Sequence, residues 1–415
     1  METFLRQLSV GGYQKKNLCK GIGFIDDLKL RASYGISGNN SIGNYTHLAN
    51  TANTGYVLGT TQVIFNGFQA SGLGNGDLTW ETKRSYNFGL DLSVLKNRIN
   101  LTAEYYKANT NGLLLSVNIP AVSGFTTRNE NIGEVENKGL ELSLNTRSFI
   151  DAFKWNSNFN IAFNRNKILA LGGSAGDFID GRATRNIVGY PMSRFYQRIT
   201  DGIFNTQEEI TKHVPQDNQP KPGDRRFKDV NGDGKVDNND RDFIGDPNPK
   251  FTFGATNTFS FKGFELNVLV NGSYGNDIYY NTLFAASNLN GNLNNNGIVR
   301  NRWRSPENPG TGNIPKALFG FPTLPDVGSD FYVFDGSFLR ISNVTLAYNV
   351  PAAFVGRAKM SSARFYVSVQ NLHTFTKYPG FDPENAIAGS SLNFGFDDGI
   401  YPVPRVISLG INLSF

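Results

Sequence analysis

The last ten residues of the chain alternate without interruption. Ile407, Leu409, Ile411, Leu413 and Phe415 are apolar, and Ser408, Gly410, Asn412 and Ser414 between them are small or polar. A side-chain period of two puts each set on its own side of a sheet, so the segment reads as a strand with one greasy face. The same period recurs upstream. Tyr86, Phe88, Leu90, Leu92 and Val94 oppose Asn87, Gly89, Asp91 and Ser93, while Ile99, Leu101, Ala103 and Tyr105 oppose Asn100, Thr102 and Glu104. The tight turn at Lys96, Asn97 and Arg98 joins these two runs as an antiparallel hairpin. Leu140, Leu142 and Leu144 oppose Glu141, Ser143 and Asn145, and Trp155, Phe159, Ile161 and Phe163 oppose Asn156, Asn158, Asn160 and Asn164. A face lined with asparagine is wet rather than a core.

Further strands are expected over 28–36, 251–261, 264–274, 338–348 and 363–370. In the 338–348 segment Leu339 and Ile341 give way to Val344, Leu346 and Tyr348, a register change that predicts a bulge near Ser342 and Asn343. The total is about ten strands, each near the roughly 9 to 11 residues of a tilted membrane strand. Short connections follow residues 94, 145, 261 and 348, whereas long ones rich in Gly, Asn, Ser and Pro follow 36, 105, 164, 274 and 370. Sorting by parity is what a transmembrane barrel does, with short turns on one side of the membrane and long loops on the other. The segment 187–204 is assigned to a long outer loop, because one added strand would reverse the parity of everything after it. Tyr105, Tyr106, Trp155, Tyr274, Tyr348 and Phe415 lie near strand ends, where interfacial aromatic girdles belong.

Composition agrees. Mean hydropathy is −0.33 over 415 residues, and no apolar run approaches the roughly 18 that a membrane helix needs, which excludes helical insertion. Barrels look polar on average because only alternate residues meet lipid. The lone Cys19 excludes an internal disulfide, and no Cys/His spacing suits zinc. The net charge of +5 is spread along the chain, which argues against a nucleic-acid partner. The first 20 residues have no apolar core followed by a cleavage site, so they do not read as a signal peptide. No Gly-x-Ser-x-Gly or His-Glu-x-x-His motif and no identifiable acid/base pair is present, so no enzyme is expected.

One motif carries site chemistry. Over 229–240, Asp229, Asn231, Asp233, Asp237 and Asp240 stand at the first, third, fifth, ninth and twelfth positions of an EF-hand-like loop. Gly234 takes the sixth and Lys235 offers its carbonyl at the seventh. A hard cation needs such a ring of oxygens, so structural calcium is the expected cofactor. The alternative is an Asx-rich turn held by its own hydrogen bonds. Asp240 replaces the usual bidentate glutamate, and no amphipathic helix flanks the loop.

Several longer stretches carry a family likeness. LKLRASYGISGN at 28–39, WETK at 80–83 with NFGLD at 87–91, and ENKGLE at 136–141 resemble the barrel of SusC/RagA-type TonB-dependent outer-membrane transporters. So do the acidic loop with Gly245 and Pro247, FLRISNVTLAY at 338–348, QNL at 370–372 and YPGFDPE at 378–384. The likeness runs from about Leu28 to Phe415, with 1–27 an uncertain edge. It implies an all-β transmembrane antiparallel barrel of about 22 strands, of which this chain is the carboxy-terminal part with the plug domain absent. It further implies import of glycans or oligopeptides across the outer membrane of a Gram-negative bacterium, energised by the TonB complex and lidded by a SusD-like surface lipoprotein. The ligand-facing candidates are Tyr279, Tyr280, Trp303 and Arg304 in a long outer loop. The alternatives are a siderophore or cobalamin receptor on the same fold, or a soluble all-β carbohydrate-binding protein with a calcium loop. About ten strands cannot close such a barrel, and an open edge in lipid costs several kcal/mol per unpaired backbone group.

In such barrels a last strand ending in Phe is read by the barrel assembly machinery, which gives Ile407, Leu409, Ile411, Leu413 and Phe415 a second role as an insertion address. Deleting Phe415 from the full-length protein is expected to lower outer-membrane yield, measured by fractionation, without altering ligand preference. Unchanged yield would contradict that role.

Overall fold

The computed structural model describes residues 6–9, 24–39, 45–58, 63–171, 178–287, 289, 294–317, 328–385 and 393–415. Most of the uncertain edge 1–27, Cys19 included, therefore lies outside the described residues. Eleven strands form one antiparallel sheet in chain order, without a crossover. They are β1 (Arg6–Ser9), β2 (Ile25–Asn39), β3 (Glu81–Val94), β4 (Ile99–Asn118), β5 (Thr127–Ile150), β6 (Phe153–Ala170), β7 (Phe251–Phe261), β8 (Phe264–Tyr274), β9 (Phe338–Asn349), β10 (Ser362–Thr376) and β11 (Val406–Ser414). The ten expected strands are all present, and β1 is an addition. Among the described residues no helix is long and apolar enough to cross a membrane. The chain divides into two compact units, one made of 1–142, 164–179 and 186–191, the other of 143–163, 180–185 and 192–415.

In the first unit, β2 and β3 pair Leu28 with Leu92, Leu30 with Leu90 and Ala32 with Phe88 on one face, and Lys29 with Asp91 and Ser33 with Asn87 on the other. The hairpin expected between β3 and β4 is present. Its turn needs left-handed backbone at Leu95, Lys96 and Asn97 (φ 57°, 60° and 58°), and the Arg98 N–H donates back to the Val94 carbonyl at 3.1 Å. The polar face is cross-linked: the Arg31 guanidinium lies over Gly89 and reaches Asp91 at 2.8 Å and Glu104 at 2.5 Å. A side chain at Gly89 would collide with that guanidinium.

The second unit shows the alternation most plainly. One register row runs Asn156, Thr258, Asn267, Thr345, Ser368 and Ser408 across six strands. The adjacent row runs Trp155, Phe259, Leu266, Leu346, Val367 and Leu409. Polar side chains in the first row bond across strands: Asn267 donates to Thr258 at 2.9 Å, and the Thr345 and Ser368 hydroxyls are hydrogen-bonded to each other at 2.8 Å. The second row is left uncovered by the chain, with Leu409 79% exposed and Leu346 49%. That is the arrangement of a sheet whose apolar side meets lipid. Where a polar group does enter the apolar face it is matched, as Asn257 accepts from the Trp155 indole at 3.0 Å and from Ser157 at 2.6 Å. The expected bulge is real: pairing of β9 with both neighbours shifts between Ile341 and Asn343 or at the facing residues.

The segment 187–204 stays out of the large sheet. Phe195–Arg198 pairs with Arg241–Gly245, and Thr200–Ile203 pairs with Arg225–Phe227, so the parity of the long strands is kept. Connections of the second unit pack on one another through a core of Phe195, Ile278, Tyr279, Tyr280, Leu283, Tyr332, Tyr378 and Phe396. Within it the Tyr378 hydroxyl donates to buried Asp397 at 2.6 Å, and burial together with that carboxylate pushes the phenol well above its ordinary range.

Candidate functional site

The 229–240 loop folds on itself. Asp229 accepts the N–H groups of Gly232 at 2.7 Å and Gly234 at 3.0 Å, and Asn231 accepts that of Asp233 at 2.8 Å. Asp237 accepts from Asn239 at 2.7 Å, and fully buried Asp240 accepts from Val230 at 2.9 Å and from Asp237 at 2.7 Å. Gly232 and Gly234 hold positive φ (74° and 85°), which turns their N–H groups toward Asp229. The Lys235 ammonium sits 2.6 Å from Asp237, which raises the lysine and lowers the carboxyl. Asp233 accepts from the Lys235 N–H at 3.2 Å. In this arrangement these oxygens accept from backbone N–H groups. Among the described residues no set of three His, Cys, Asp or Glu side chains is placed to hold a metal ion. The loop carries the hydrogen bonds of an Asx-rich turn.

Three of the four expected ligand-facing residues are buried. Tyr279 is 3% exposed and packs on Phe195 and Phe396 with centroids at 5.7 and 5.4 Å, and Tyr280 packs on Tyr378 at 5.4 Å. Trp303 is buried and its indole donates to Asn205 at 2.8 Å. Their faces are taken up by protein, so stacking on a ligand would need the connections to unpack. Arg304 is exposed and donates to the Arg300 carbonyl at 2.6 Å. The terminal set behaves as one face: Ile407, Leu409, Ile411 and Leu413 are exposed together along β11, and Phe415 follows at 88%.

An unforeseen concavity of about 340 Å³ opens in the second unit, on the polar side of the strands. Asn160, Asn271 and Ser273 line it from β6 and β8, and Asp277, Glu384 and Phe394 line it from the connections. Burial raises the Asp277 carboxyl above its ordinary value; the Asp246 N–H, donating at 2.8 Å, opposes this, the charges of Asp246 and Asp335 add to the rise, and the charge of Lys250 works against it. Glu384 is positioned by Arg340, a buried residue of β9 whose guanidinium reaches Glu384 at 2.6 Å, Thr374 at 3.0 Å and Asp382. Breaking the buried Arg340–Asp382 pair from one side costs about 3–5 kcal/mol, so the 382–384 turn is firmly seated. The lining offers amides, a hydroxyl and carboxylates. Sequence reading found the wet asparagine face but not this set, because Arg340 and Glu384 meet only through the fold.

Residues 12–195 match the family described as TonB dependent receptor-like, beta-barrel. The chain is 35% identical to TonB-dependent receptor P3 of Formosa agariphila, with 97% of this chain and 40% of that protein covered. It is 30% identical to TonB-dependent receptor SusC of Bacteroides thetaiotaomicron, covering 97% of this chain and 39% of that one. Among solved structures, the RagAB peptide transporter aligns with a TM-score of 0.76 at 27% identity, over 96% of this chain and 42% of its own. The chain thus spans about two fifths of the length of the relatives it matches.

Asp240→Ala removes the acceptor of several N–H groups at once and is expected to loosen the loop by about 2–3 kcal/mol. Limited proteolysis of the complete protein should show cleavage within 229–245 rising at least tenfold, equally with calcium and with chelator. Protection of the unmutated loop by millimolar calcium would instead establish a cation site there.

Proposed function

The chain carries a TonB-dependent receptor β-barrel of the SusC/RagA type, and on that premise we propose that it forms part of the wall of an outer-membrane importer of glycans or oligopeptides. The observation that carries the reading is the second unit's pair of register rows, one apolar and uncovered, the next polar and cross-bonded. A sheet of that kind separates lipid from water and leaves an asparagine-, serine- and threonine-lined surface for a hydrophilic solute. Transport by such a wall needs no covalent chemistry. Ligand binds to the polar face and the connections above it, and energy supplied through the TonB complex opens a path elsewhere in the complete protein. Partners implied by this reading are the TonB complex and a SusD-like surface lipoprotein.

Import of oligomeric nutrients is favoured over iron–siderophore uptake by the likeness to SusC and to the RagAB peptide transporter. Cells lacking the complete gene should lose uptake of labelled oligosaccharide or oligopeptide, with the same loss when the proton gradient is collapsed in wild-type cells. Iron uptake should be unchanged. A defect confined to iron acquisition would overturn the reading.

A further inference from the structure

The concavity of the second unit has a chemical bias that its fold position alone does not require. Its ionised lining groups are two carboxylates, Asp277 and Glu384, and none of its lining residues is basic. Two cations act on these carboxylates from the side. Arg340 bonds Glu384 as well as Thr374 and Asp382. The charge of Lys250, whose ammonium lies 6.0 Å from the Tyr274 ring centroid, lowers the Asp277 carboxyl against the opposing charges of Asp246 and Asp335. Each carboxylate has one oxygen held by protein, Asp277 by the Asp246 N–H and Glu384 by Arg340, and among the described residues the second oxygen of each has no protein donor. Asn160 adds an exposed amide from β6.

We propose that this concavity is a subsite for a cationic group of an oligopeptide, a lysine ammonium, an arginine guanidinium or a free amino terminus, held between Asp277 and Glu384. The inference rests on the import reading and names its substrate class. A volume of about 340 Å³ admits one long side chain or a chain end rather than a whole oligomer. Phe338 and Phe394 give apolar walls for the aliphatic stem of such a side chain, while its charged head makes charge-assisted bonds to the free oxygens. Sulfated or uronic glycans would set an anion against two carboxylates, which disfavours them here. The raised Asp277 carboxyl agrees in direction, since it marks a negative charge that burial leaves under-compensated.

The test uses the complete receptor, purified in detergent, and two capped hexapeptides of alanine that differ only in one central lysine or norleucine. Isothermal titration should find the lysine peptide bound about tenfold more tightly. Asp277→Asn, which keeps an oxygen for the Asp246 N–H, should remove most of that preference. Asn160→Lys, which sets a cation in the lining itself, should bring the lysine peptide's affinity down to or below that of the norleucine peptide. Equal binding of the two peptides, no binding of either, or a preference that survives in the Asp277→Asn/Glu384→Gln double variant would overturn the subsite. Uptake by cells separates the two readings. Import of both peptides without charge preference leaves the importer standing and sinks the subsite, whereas lysine-selective binding without uptake of any oligomer does the reverse.

Discussion

Everything in this chain depends on side chains keeping a period of two, in register, from strand to strand. Because the period is two, a slip of one residue would carry the row from Trp155 to Leu409 onto the wet side and the row from Asn156 to Ser408 onto the apolar side. The cost of that slip multiplies across six strands, so each hairpin is held by its neighbours. The bulge in β9 is the one place in these rows where register changes, and it does so without exchanging faces: Ile341 and Val344 both stay on the apolar side, opposite Val270 and Val268.

The connections answer a different constraint. Away from the strands there is no alternation to hide apolar groups, so the second unit's connections bury rings against one another and seat their turns with charges such as Arg340 with Asp382 and Glu384. This packing holds polar groups over the polar side of β6, β8 and β9 and creates a walled concavity rather than an open loop end. It also explains why Tyr279, Tyr280 and Trp303 pack inward: they are the cement of the connections.

How much of this was legible follows from the physics of each part. The terminal run, the β3–β4 hairpin, the spans of β7 and β8 and the bulge near Ser342 could be read directly, because each depends on residues close in sequence. Strand length was underestimated. The runs read as ending near Tyr105 and Asn145 continue to Asn118 and Ile150, and β5 also starts earlier, at Thr127, because alternation fades where both faces are polar. The acidic loop matched a cation-binding spacing, yet spacing alone does not distinguish oxygens aimed at a cation from oxygens aimed at backbone N–H groups. The Asp277 and Glu384 pair was invisible, since residues 107 positions apart are brought to one surface only by the packed connections.

The central claim is that the two faces of this sheet meet different solvents. It is tested most directly by placing single cysteines in the complete receptor, with Cys19 and every other native cysteine replaced by serine, at Leu266, Leu346 and Val367 and at Asn267, Thr345 and Ser368. Each is labelled with a fluorophore and reconstituted with nitroxide-bearing lipid. The account predicts strong quenching at the first three positions and little at the second three. Equal quenching in both rows, or the reverse pattern, would contradict it.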